Sequence, residues 1–399
     1  MSVIDGSYEL DLHRTLLLAA VGLGTLGTLF YNVMPLYLGS LQDSSSLSHS
    51  QIGLGAGSLF LGFNLLSASA YYWINNISFR VAAVVSVLCL CVFLGLKMYV
   101  TTFTFIIVLS VLIGSASGAL SSISAKIISE ARNVNFWYAI KSATESGAGV
   151  MLLFLLPVTL IPIYGFNGTI LAMLMVIFSV ALMSFRFLPS KQSQSEVDGQ
   201  RTDEISARAK ESNVPVLFAL ATILILDMGG SAIWAFEERI AILYGFDPEW
   251  VGTVLGMSLF FAVIGPGIAA FLGDRLGNRL PFSICVSLML CGVIAVISSN
   301  ENNVYFAIGA CVFLFGWGAS VPFMFSQVAV TDPNGRYITL AMPAMGIGSM
   351  LGPIIAGFLF SEVSLAPIQT MVMLVLLISM STIWLSDQKK YKSDKLNDK

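Results

Sequence analysis

Twelve stretches of this chain are each long enough and apolar enough to cross a lipid bilayer. A helix needs about 20 predominantly apolar residues to span the hydrocarbon core. Six such runs fall near 15–38, 51–73, 80–99, 103–127, 137–160 and 168–187. Six more fall near 215–243, 250–272, 281–299, 304–329, 338–361 and 366–385. The expected fold is an all-α polytopic membrane protein, with 12 transmembrane helices in two pseudo-symmetric six-helix bundles. Charge content agrees: 11% of the residues are charged, against about 25% in soluble proteins. A larger soluble core does not explain that deficit, because its outer surface still has to face water.

The runs divide the chain into an N-terminal bundle over 1–187, a linker over 188–214, a C-terminal bundle over 215–385 and a tail over 386–399. The linker is too polar to fold alone and reads as a flexible cytoplasmic tether. With the N-terminus inside, eighteen of the twenty Lys and Arg residues fall on cytoplasmic ends, leaving Lys97 and Arg239 for the other side. The positive-inside rule then puts both termini in the cytoplasm. The first run reaches Leu38, too long for a signal-peptide core, so no cleavable signal is expected. The expected location is the plasma (inner) membrane, as a multi-pass protein.

Several function classes are excluded on chemistry. The five cysteines all sit inside apolar runs, read as small packing residues, and do not have zinc-ligand spacing. Only two histidines are present, His13 and His49, so neither a His-based metal centre nor a catalytic one is expected. A net charge of −3 gives no global reason for nucleic-acid binding. No phosphate-binding loop of the ATPase type is visible. A membrane enzyme acting on lipid would concentrate acids, His or Cys at one surface, and a sensor would add a soluble output domain; neither pattern is visible, and both rank as weaker alternatives to transport. What remains is a non-enzymatic carrier without cofactors, whose partners are a small-molecule solute, the bilayer and protons, working as a monomer.

Ionisable groups within spans are costly and face a cavity or a partner. The seventh run holds Asp227, Glu237, Glu238 and Arg239. At about 100° per residue, Asp227, Ser231, Trp234 and Glu238 fall at roughly 0°, 40°, −20° and 20°, one narrow stripe. Asp227 and Glu238 are then about 16 Å apart along the axis. The functional reading has this stripe line a central pathway, with a carboxyl that takes up a proton and Trp234 offering an aromatic face. The structural alternative pairs Glu238 with Arg239 and has Asp227 hydrogen-bond a neighbouring helix. Glu145, four residues after Lys141, is a third proton-coupling candidate, set against a plain intrahelical ion pair. Thr28, Tyr31 and Asn32 in the first run, and Phe315, Trp317 and Gln327 in the tenth, are further cavity candidates. The absence of a basic residue at mid-depth favours a neutral or cationic, partly apolar solute over a polyanion.

Local motifs add a family resemblance. After the eighth run, Ala270-Phe271-Leu272-Gly273-Asp274-Arg275-Leu276-Gly277-Asn278-Arg279 is similar to the loop signature of the major facilitator superfamily. Gly348-Ser349-Met350-Leu351-Gly352-Pro353 and the loop Asp332-Pro333-Asn334-Gly335-Arg336 also resemble that family. The resemblance implies secondary active transport by alternating access, a cavity lined by spans 1, 4, 7 and 10, and a cytoplasmic gate at Asp274, Arg275, Gly277 and Arg279. The chain departs from the family pattern after the second span, where Asn75-Asn76-Ile77-Ser78-Phe79-Arg80 replaces the sister loop signature. It also lacks the arginine of many proton-coupled drug exporters in span 4. No direction of transport is legible in the sequence, and export of drugs or metabolites by the same fold stays open as the alternative.

Overall fold

The computed structural model describes residues 2–100, 102–131, 133–188, 213–300, 302–332 and 337–397, with side chains described at all of these except 2–13, 71, 134–135, 269–276 and 387–397. In the N-terminal half, α1 (Ser2–Asn32) and α2 (Met34–Asp43) together form the first span. Pro35 explains the break: it lacks an N–H and its ring collides with the carbonyl one turn earlier, and Val33 leaves helical geometry at φ −107°, ψ 12°. Next come α3 (His49–Trp73), α4 (Phe79–Lys97), α5 (Phe103–Ser129), α6 (Val134–Leu155), the single turn α7 (Ile161–Tyr164) and α8 (Phe166–Phe185). The C-terminal half has α9 (Val214–Leu243), α10 (Pro248–Leu276), α11 (Arg279–Ile297), α12 (Asn303–Thr331), α13 (Ala341–Leu359) and α14 (Ala366–Asn397).

Eleven of the described helices carry a window apolar enough to cross a membrane. The twelfth membrane helix is α6, whose Lys141, Glu145 and hydroxyl residues lower its hydropathy. Two helices run on beyond the expected spans. The polar N-terminal stretch up to Arg14 is helical from Ser2, and α14 continues past 386 to Asn397, where a tail is expected. The membrane-crossing windows themselves stop at Arg14 and Ser386. Most of the linker, 189–212, lies outside the described residues.

Short polar caps start many of these helices. Ser48 and Gln51 form a reciprocal capping box on α3, and Ser78, Asn133, Asp247 and Asn302 each accept the backbone N–H of the third residue of their helices. Such caps satisfy donors that a helix start leaves open. Asp332 does similar work before α13, accepting from the backbone N–H groups of Tyr337 and Ile338 at 2.6 and 2.8 Å.

Glycine seams bring the helices together. Gly62 of α3 faces the Val111 carbonyl, and Gly114 and Gly118 of α5 face the carbonyls of Leu59 and Phe63. The second half repeats this between α10 and α12, where Gly265 faces the Phe315 carbonyl and Gly318 faces that of Ala262. Spans 2 and 4 thus pack as spans 8 and 10 do, which is the pseudo-symmetry in physical form. In lipid, small residues permit this approach and dispersion rewards it. The halves meet along two further seams. Gly53 and Gly57 of α3 lie against Pro353, Gly357, Met350 and Ile354 of α13, and Gly252 and Gly256 of α10 lie against Pro157 and Phe154, on and just beyond α6.

Candidate functional site

The seams between the halves leave a cavity of about 390 Å³. Helix α1 supplies Thr28, Tyr31 and Asn32 to its wall, α3 supplies Phe60, Phe63 and Asn64, and α5 supplies Gly114, Ser117 and Ser121. Helix α6 adds Lys141, Ser142, Glu145 and Ser146, and α13 adds Met342, Met345 and Ser349. Met342, at the end of the bundle that carries both termini, is 63% exposed.

At the opposite end the halves are tied together. Arg239 of α9 donates to both carboxylate oxygens of Asp43 at the end of α2, at 2.7 and 2.9 Å. The same guanidinium also holds Glu238, at 2.7 and 3.0 Å. His49 at the start of α3 lies 3.4 Å from Glu362 in the other half and pairs with Gln42 at 2.8 Å. Its ring packs on Phe360, which in turn packs on Phe236. Gly39 of α2 permits this closure, because a Cβ there would overlap the Glu238 carboxylate.

Asp227 is fully buried just behind the cavity wall. It accepts hydrogen bonds from Trp317 Nε1 of α12, at 3.2 Å, and from Ser349 Oγ of α13. Ser349 also lines the cavity, so one hydroxyl joins the carboxylate to the wall. Trp317 in turn packs edge-on to Tyr31, with ring centroids 6.2 Å apart. Trp234 Nε1 donates across the halves to the Tyr31 carbonyl at 2.9 Å.

The expected stripe on α9 does point inward. Asp227, Ser231, Trp234 and Glu238 are all buried, but none of them is among the residues lining this cavity. Their faces are consumed by packing: Ser231 against Gly352 of α13, Trp234 against α1, and Glu238 against Arg239 and Gly39. Glu238 therefore has the geometry of the ion-paired alternative. Glu237 is fully buried, and neither of its carboxylate oxygens has a hydrogen-bond partner.

The other expected residues divide. Thr28, Tyr31, Asn32 and Glu145 come together on the cavity wall. Asn32 Nδ2 donates to the Glu145 backbone carbonyl at 2.9 Å, fixing α1 to α6. Gln327 lies away from it, donating to Ser386 at 2.9 Å and accepting from Asn278. Phe315 is also absent from this wall; its backbone carbonyl packs on Gly265. In the gate loop, the side chains of Asp274 and Arg275 lie outside the described residues. Gly277 ends α10 at φ +67°, a conformation that favours glycine, and Arg279 stacks over the Trp384 ring at 5.0 Å.

Sequence reasoning passed over several wall residues. Asn64 is a lone amide within an apolar run and carries the same signal as Asn32. Lys141 reads as a cytoplasmic-end charge in the sequence, yet it lines the cavity and pairs with Glu145 at 2.6 Å. This is the intrahelical pair that the sequence set against a proton-coupling role for Glu145, here on the cavity wall. Lys97 is also buried, donating to Ser110 at 2.8 Å and lying over the Tyr37 ring.

Known proteins share this architecture. The bacterial homolog of the human lysosomal transporter Spinster, solved in an inward-facing and unoccupied conformation, superposes with a TM-score of 0.73 at 14% identity, over 96% of this chain and 98% of that one. The nucleoside transporter NupG superposes with a TM-score of 0.69 at 15% identity, over 95% and 99%. Among curated sequences, the multidrug resistance protein MdtG of Escherichia coli is 23% identical over 89% of this chain and 90% of its own. The hexose transporter HXT13 of Saccharomyces cerevisiae is 34% identical over 105 residues, 26% of this chain, and the match spans 19% of that protein. The family model described as Major Facilitator Superfamily matches residues 16–336 and 219–398. With two six-helix halves, a cavity between them and a family match along nearly its whole length, this chain belongs to the Major Facilitator Superfamily of membrane transporters.

Proposed function

We propose that the protein is a proton-coupled secondary transporter that moves a small organic solute by alternating access. The observation that carries this reading is a single arrangement. The cavity lies between the halves, is barred at one end by the Asp43–Arg239 bridge, and has Asp227 one hydroxyl behind its wall. The lysine and arginine distribution supports cytoplasmic termini, and on that reading the barred end faces outward.

Coupling follows from the shared serine. With Asp227 charged, the Ser349 hydroxyl donates its proton to that carboxylate and not to the solute. A proton arriving at Asp227 removes the negative charge that holds Trp317 and Ser349 in place. Both side chains belong to helices that pack on α9, so the change is felt at the contact between α9, α12 and α13. A solute and a proton then bias the same pair of states, which is what linkage between them requires.

The experiment is transport into proteoliposomes with an imposed pH gradient. Asp227→Asn is expected to fold and to exchange solute across the membrane, but to lose gradient-driven accumulation. Unchanged accumulation in that variant would remove Asp227 from the coupling. A second reading, export of drugs or metabolites, is favoured by the similarity to MdtG over most of both chains. The same vesicles separate the two readings by the direction in which the proton gradient drives solute.

A further inference from the structure

We infer that the solute is a small zwitterion, with an ammonium and a carboxylate as close together as in an α-amino acid and an apolar or aromatic body. This rests on the transporter reading above and names its substrate class. Lys141 and Glu145 stand one turn apart on α6, on the cavity wall, with side chains 13% and 12% exposed. They are the charged residues of that wall, and they carry opposite signs.

An ion pair in such a place needs a reason. Lys preceding Glu is the weaker order for a helical pair. A buried pair is often no more stabilising than well-packed apolar residues of the same volume. Glu145 Oε1 lies 2.6 Å from the Lys141 ammonium, so each charge compensates the other. Two further polar atoms of the wall residues, Ser117 Oγ and Asn64 Nδ2, are without hydrogen-bond partners. Buried polar atoms are ordinarily paired, so two orphans beside a charged pair on one cavity point to a ligand that supplies what they lack.

Charge balance then selects the ligand. A cation alone would draw Glu145 from Lys141 and leave the ammonium uncompensated in a low dielectric; an anion alone would do the reverse to Glu145. A zwitterion exchanges one ion pair for two and leaves no charge unpaired. Facing this polar wall, Met342 and Met345 of α13 and Phe60 and Phe63 of α3 offer an apolar surface. Methionine adapts to irregular apolar shapes, so the body of the solute is specified less sharply than its charged end.

The test is thermal stabilisation and transport with matched probes. L-Leucine and L-phenylalanine are compared with their methyl esters, their N-acetyl derivatives, and the neutral solutes uridine and glucose. The expected result is binding of the free amino acids and affinity about ten-fold or more weaker for both single-charge derivatives. That preference should vanish in the double variant Lys141→Met, Glu145→Gln, with its melting temperature checked for folding. If the double variant does not fold, the derivative series on the unmodified protein decides. Equal affinity for esters or N-acetyl forms, no stabilisation by either amino acid, or unchanged amino-acid binding in a folded double variant would each overturn the inference. Transport of uridine or glucose that ignores the double substitution would overturn it too, while leaving the transporter reading standing.

Discussion

Arg239 of the C-terminal half grips Asp43 of the N-terminal half through two parallel hydrogen bonds, while its Nε holds Glu238 on its own helix. The two acids differ in setting: the Asp43 side chain is 62% exposed and that of Glu238 is 8% exposed. Their substitutions should therefore differ in kind. Asp43→Asn leaves Glu238 paired, so melting temperature should hardly move while the outer end opens more often. Arg239→Ala strands the buried Glu238 carboxylate, a loss of about 3 kcal/mol or more. Thermal melts, read beside thiol labelling of a cysteine placed at the buried Phe360 position on a cysteine-free background, check both outcomes.

The contact of Gly53 with Pro353 and Gly357 makes a steric prediction. Gly53→Leu puts a branched side chain where the α3 and α13 backbones meet, at the closed end. The end carrying the termini has no equivalent demand on residue 53. The variant should fold and favour the state in which the outer end is open. Labelling of a cysteine at Phe360, buried between His49 and Phe236 when this end is closed, should become faster, and gradient-driven transport should fall by an order of magnitude or more. Labelling at the unmodified rate would show that α3 and α13 do not form the barrier.

Gly114 tests the packing account independently of transport. Its missing Cβ lets α5 rest on the Leu59 carbonyl of α3. Gly114→Ala forces the two backbones apart, and overpacking of this kind costs about 1–3 kcal/mol. Gly95 has open space at the corresponding atom, so Gly95→Ala should be neutral or slightly stabilising. Denaturation midpoints of the two variants, measured in the same detergent, decide it.

Much of the fold is legible in the sequence because membrane thickness sets one length and lipid tolerates few charges. Span boundaries follow directly, and α6 is found despite Lys141 and Glu145 because apolar residues flank them. The inward direction of Asp227 and Glu238 is also legible. Which neighbour each meets is not. Helix α9 is buried on nearly every side, Glu237 included, so a 100° stripe does not separate cavity from packing. The link from Asp227 to Trp317 and Ser349 joins residues 90 and 122 positions apart, and the periodicity of a single helix carries no information about such partners. The face that Lys141 shares with Glu145 is legible from their four-residue spacing, but how deep the cavity reaches along that face is not.

The most direct test of alternating access is a pair of distance measurements in a lipid nanodisc, on a cysteine-free background. Spin labels at Ser46 and Val363 report the outer end, and labels at Ser129 and Leu340 report the end carrying the termini. Double electron–electron resonance is recorded with and without a bound solute and at two pH values. The account predicts two populations for each label pair, with the outer distance lengthening in the same conditions in which the inner one shortens. A single unchanging distance at both ends, or two distances that grow and shrink together, would contradict it.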